Sequence, residues 1–157
     1  MWRKLSNWWG VLVVLIVWGV VCLKTYVSGT YLLGWDNFVP ELGFGINIQR
    51  SLSTAWQEFQ GVGLLGGMGH AADLTRQAIL WIASFIFPAS MLRWGWTLSM
   101  LLIGSLGALA LGNLYFGTGL TALTGAVFYL LNPVTIQVFN VPFETFTSFF
   151  FLLWRLS

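Results

Sequence analysis

The chain has 157 residues, 57% of them hydrophobic and only 8% charged, with 10 Trp and 13 Phe. A soluble domain carries about 25% charged residues, so this composition excludes an ordinary water-soluble globule. A formal net charge of +2 excludes the basic footprint of a nucleic-acid binder, and the lone Cys22 excludes an internal disulfide framework.

Met1-Trp2-Arg3-Lys4 precedes the first apolar run, which begins at Trp8 and predicts an anchor helix over about 8–27. Two early cations place the N-terminus in the cytoplasm by the positive-inside rule. Trp2, Trp8 and Trp9 suit the aromatic belt, and Lys24 is expected to snorkel outward. The competing reading is a cleaved signal peptide. Against it, Gly19-Val20-Val21-Cys22 is a poor lipobox and no small-residue cleavage site follows.

Residues 28–76 read as a large extracytoplasmic loop, too long for a turn and too apolar for a disordered linker. Arg50 to Gln60 has the spacing of a short amphipathic helix, with Leu52, Ala55, Trp56 and Phe59 on one face. Residues 77–92 form a short apolar run broken by Pro88 and closed by Arg93. Such a run is more often re-entrant than spanning, so it is read as dipping into the outer leaflet. If it crossed instead, the sidedness of everything after it would invert.

Spans are predicted over about 94–116 and 120–137. In the first, Gly104, Ala108 and Gly112 form a small-residue stripe suited to close helix contact; in the second, Asn132-Pro133 bends the end. A further apolar run over about 146–157 is too short to cross, so the chain reads as the N-terminal piece of a longer protein. The fold class is therefore all-α: a polytopic membrane helical bundle with a large external first loop holding short juxtamembrane helices.

The acids are Asp36, Glu41, Glu58, Asp73 and Glu144, all outside the apolar runs. Asp36, in Gly34-Trp35-Asp36-Asn37, could take a proton from a sugar hydroxyl beside lipid and aromatics that raise its pKa; its alternative is turn chemistry. Glu41 after Pro40 is a candidate metal ligand or second carboxylate, or else a first-turn helix acid. Glu58 reads as solvated or paired with Arg50. His70 and Asp73 are three apart, a thin metal signal, and Asp73 equally caps a helix starting near Leu74.

Arg76, at the loop's junction with the membrane, could hold the phosphate of a lipid-linked substrate or serve as an interfacial anchor. Gly61-Val62-Gly63-Leu64-Leu65-Gly66 matches a dinucleotide fingerprint by letter only, since no strand precedes it. Glu144 lies between a Pro-broken helix end and an aromatic run, where an acid is costly unless paired or wet.

This order of elements resembles the start of the GT-C superfamily of polytopic glycosyltransferases, which includes arabinofuranosyltransferases and oligosaccharyltransferase catalytic subunits. Asp36 in Gly-Trp-Asp-Asn matches the essential external Asp. Glu144 in Asn140-Val141-Pro142-Phe143-Glu144-Thr145 matches the second external acid, and Arg93-Trp94-Gly95-Trp96 and Phe128-Tyr129-Leu130-Leu131-Asn132-Pro133 are similar to those enzymes. The resemblance implies an inverting transfer from a polyprenyl-phosphate sugar to a glycan or lipid acceptor, in the plasma membrane of a prokaryote. Asp36 would deprotonate the acceptor, Arg76 or Arg50 would neutralise the leaving phosphate, and Glu144 would position the acceptor or a divalent cation. Flippase, transporter and non-catalytic envelope protein are the rival readings; nearly apolar spans weigh against transport.

The two-carboxylate reading requires Glu144 to lie on the same side as Asp36. A cysteine placed at Thr145 is therefore expected to react with a membrane-impermeant thiol reagent added from outside. Protection there, with labelling only after permeabilisation, would sink the two-acid site.

Overall fold

The computed structural model describes residues 8–32, 40–52, 74–117 and 119–133. Among them the secondary structure is all-helical: α1 (Trp8–Thr25), a 3₁₀ turn (Pro40–Leu42), α2 (Phe44–Leu52), α3 (Leu74–Ala83), α4 (Ala89–Phe116) and α5 (Leu120–Leu131). The chain divides into two compact units. One comprises Met1–Asn37 and Trp94–Ser157, the other Phe38–Arg93. By length and composition, α1 and α4 are long and apolar enough to cross a membrane.

α1 is rich in Val, a mediocre helix former in water. In lipid the ranking matters little, because a spanning segment must satisfy every backbone group internally. Only 11% of α1 is buried within the protein, so that Leu12, Leu15, Ile16, Val20 and Leu23 are exposed. Lys24 in the last turn complements the helix dipole. Beyond Thr25 the chain turns through Gly29 at φ 77°, with the Thr30 amide donating to the Val27 carbonyl. A positive φ at that turn position favours glycine.

α4 begins at Ala89, five residues before the expected Trp94, and the expected short helix over 77–92 is divided. α3 ends at Ala83, and Ala89 to Leu92 belong to α4. The cause is Pro88. Its ring excludes helical backbone at the residue before it but suits a helix start after it. At the other end α4 stops before Gly117, whose φ of 79° is the left-handed conformation common just past a helix terminus.

Within the first unit α1 runs antiparallel to α4. The Trp18 indole N–H donates to the Leu98 carbonyl at 2.8 Å, and Tyr26 meets Trp94 edge-on at 5.9 Å. The Trp94 indole in turn donates to the Thr30 carbonyl at 3.3 Å. Val14, Leu109, Ala122, Leu123 and Ala126 form the buried core of this unit. α5 spans 12 residues and ends where Asn132 turns extended ahead of Pro133. At about 1.5 Å per residue, α5 as described is too short to cross a bilayer unaided.

Gly112 carries the closest helix contact. A β-carbon there would lie 2.9 Å from the Ala122 α-carbon, so α4 and α5 touch backbone to backbone. Gly104 is buried as well. Gly125, by contrast, faces open space.

In the second unit α2, α3 and the 3₁₀ turn pack on one another. The amphipathic helix expected over Arg50–Gln60 is found instead at Phe44–Leu52; residues 53–60 lie outside the described residues.

Matched substitutions test the contact at Gly112. Gly112→Ala is expected to destabilise the detergent-solubilised chain by about 1–3 kcal/mol through overpacking, read as a lower Tm. Gly125→Ala, whose new methyl meets nothing within 4 Å, should leave the Tm unchanged or slightly higher. Equal shifts would refute the backbone contact.

Candidate functional site

Polar chemistry among the described residues concentrates in the unit spanning 38–93, and there it points inward. Glu41, on the 3₁₀ turn, accepts from Arg93 in the first turns of α4. The Arg93 Nε lies 2.9 Å from Oε1 and Nη2 lies 3.4 Å from Oε2. The two side chains are 3% and 1% exposed, Arg93 first. The guanidinium fork matches both carboxylate oxygens at once, a fit that lysine cannot make. Away from water neither charge could stand alone, so each is the condition for burying the other.

A second polar contact joins α3 to α2. The Gln77 side-chain amide donates to the Ser51 hydroxyl at 2.9 Å, both residues buried. Arg76, the neighbour of Gln77 on α3, is 6% exposed. Arg50 is half-buried in the last turn of α2, where a cation complements the helix dipole.

Of the residues singled out from sequence, Asp36, His70, Asp73 and Glu144 lie outside the described residues, as do Glu58 and the Gly61–Gly66 tract. Glu41 is engaged by Arg93 at both oxygens. Arg76 lies inside the unit rather than on its surface. Among the described residues no three His, Cys, Asp or Glu side chains gather in a group that could hold a metal ion. They offer a divalent cation no donor set.

Arg93 was legible in sequence only as the end of an apolar run, and its pairing was missed. The available signal was scarcity: with so few charges, an acid and a base that flank apolar segments are natural partners. Also missed was the polar row of α4. Thr97, Ser105 and Asn113 are all buried, eight residues apart, with Leu101 and Leu109 between them on the same i+4 row. The Ser105 hydroxyl donates back to the Leu101 carbonyl at 2.8 Å. The Asn113 side-chain carbonyl is buried with no hydrogen-bond partner.

Comparison of the chain with known family models, with curated proteins and with solved structures gives no match.

Removing one member of the Glu41–Arg93 pair strands the other charge in a dry interior. Arg93→Met or Glu41→Gln is expected to destabilise the unit by about 3–5 kcal/mol, measured as lost protection of the segment 38–93 from protease. The double variant should lose markedly less than the sum of the two. Strict additivity would show that the charges are not coupled.

Proposed function

We propose that this chain belongs to an integral-membrane glycosyltransferase moving a sugar from a polyprenyl-phosphate donor to a cell-envelope acceptor. The observation that carries the reading is the arrangement of elements around Asp36. A membrane-length α1 leads into the acid-bearing segment, a compact helical unit follows, and a membrane-length α4 comes next. A protein that merely spans the bilayer has no use for a folded insertion anchored by a buried ion pair.

In this reading Asp36 is the base. It removes the proton of an acceptor hydroxyl as the oxygen attacks the anomeric carbon from the face opposite the leaving group. The bond from that carbon to the polyprenyl-phosphate oxygen breaks, the configuration inverts, and the phosphate leaves with the electron pair. Arg50 is the better disposed of the two candidate cations for the departing charge, because it is half-buried where Arg76 is enclosed. Glu144 orients the acceptor. Glu41 has a structural duty instead, holding Arg93.

A lipid-linked saccharide flippase is the second reading, and a specific observation favours it. The unpartnered Asn113 carbonyl is a polar atom buried in a membrane-length helix, the kind of group that transport pathways use. The neighbouring polar side chain on that row, Ser105, is already satisfied within its own helix.

Asp36→Asn in the full-length protein should reduce sugar transfer by about 10²–10⁴-fold, the usual contribution of a general base, with membrane insertion intact. The assay follows a radiolabelled sugar from polyprenyl phosphate to acceptor. Unchanged turnover would refute the role of Asp36. Failure of the wild-type protein to transfer any sugar, with Asn113→Ala abolishing movement of the lipid-linked saccharide across vesicles, would establish the flippase instead.

A further inference from the structure

The unit spanning 38–93 has its polarity inverted. Its described charged residues are Glu41, Arg50, Arg76 and Arg93; three are buried and Arg50 is half-buried. Apart from Gln49 on α2, its exposed large side chains are apolar. A water-soluble helical unit shows the reverse, with Glu, Lys, Arg and Asp almost never fully buried.

The exposed apolar residues gather where α3 turns into α4. Ile79 is 48% exposed, Ile82 62%, Phe85 75% and Ile86 78%, with Trp81 and Phe87 beside them. They recur at three- and four-residue spacing, so they continue one face of α3 into the turn. No charge occurs from Gln77 to Leu92. An apolar face of this kind could meet either protein or lipid, and the membrane-length helix that follows it favours lipid.

The amides of the turn are paired locally. The amides of Ser84, Phe85, Ile86 and Phe87 donate to the carbonyls of Leu80, Ile82, Ala83 and Ala83 in that order. The Ser84 hydroxyl donates to the Trp81 carbonyl at 2.5 Å. Pro88 has no amide to satisfy. Local pairing of this kind suits a turn that meets lipid, which supplies no hydrogen-bonding partner.

The length of α4 agrees. Its 28 residues rise about 42 Å at 1.5 Å per residue, against about 40–45 Å for a bilayer with its headgroup regions. A helix of that length, crossing near the normal, starts in the headgroup layer, and the turn leading into it lies at the same depth. There an apolar helix face sinks about 5–10 Å into the headgroup and acyl boundary.

We propose that α3 and its turn form a lipid-inserting element, with Ile79, Ile82, Phe85 and Ile86 seated among acyl chains while Arg76, Gln77 and the Glu41–Arg93 pair face the protein side. The element would hold the unit 38–93 against the membrane whatever reaction the protein carries out, so it does not depend on glycosyl transfer.

The test places a nitroxide at Ile82→Cys and at Ile86→Cys, singly, in the full chain with Cys22→Ser, reconstituted in phosphatidylcholine vesicles. Collision with oxygen, which concentrates in lipid, is compared with collision with a water-soluble nickel chelate. A nitroxide at Leu12→Cys, on the outward face of α1, is the lipid reference. The expected result is oxygen accessibility several-fold above nickel accessibility at both positions, as at Leu12. Nickel accessibility equal to or above that of oxygen would place the turn in water and overturn the proposal. Low accessibility to both would mean a protein partner covers the face, and would overturn it equally. All three positions are exposed, so the labels disturb no core contact.

Discussion

The buried pair of Glu41 and Arg93 is the interaction on which the organisation of this chain turns. It joins residues 52 apart in sequence, closing the segment between the two membrane-length helices into a loop with a fixed base. Neither ion could enter a dry interior alone, because its lost hydration would exceed any packing gain. Together they allow Arg93 to sit inside the first turns of an otherwise charge-free helix. Elsewhere in the unit the Gln77 amide donates to the Ser51 hydroxyl, and the amides between α3 and α4 pair locally.

α4 carries a buried row of its own. Stepping by four from Arg93 gives Thr97, Leu101, Ser105, Leu109 and Asn113, all buried. Since 3.6 residues make a turn, each step of four advances about 40°, so the row winds around the helix as a ridge rather than running straight along it. The small residues near its far end let another helix in: Gly112 admits the Ala122 backbone at a distance no side chain could share. Association in lipid depends on such van der Waals fit, since the hydrophobic effect offers nothing between two apolar helices.

For function, the consequence is subtraction. Of the five acids, Glu41 is committed to Arg93 at both oxygens. Of the other acids, Asp36 comes first after α1, five residues before Glu41. Arg76 is likewise drawn into the unit, which leaves Arg50 as the more accessible of the two loop cations.

Composition and periodicity by themselves determined the helical class and the two membrane-length helices, while α4 starts five residues before the expected Trp94. Those features are local: an apolar run must be helical in lipid, and Gly117, Pro88 and Pro133 interrupt a helix by their own covalent geometry. The small-residue stripe of α4 was legible for the same reason. Tertiary structure alone decided which face of each helix turned inward, and with it the fate of the charges. Arg93 read as the end of one element and lies inside another; Glu41 read as a candidate ligand and is half of an ion pair. Nothing within either residue's neighbourhood in sequence specifies a partner 52 positions away. That choice belongs to packing, which lets two charges leave water only where they arrive together.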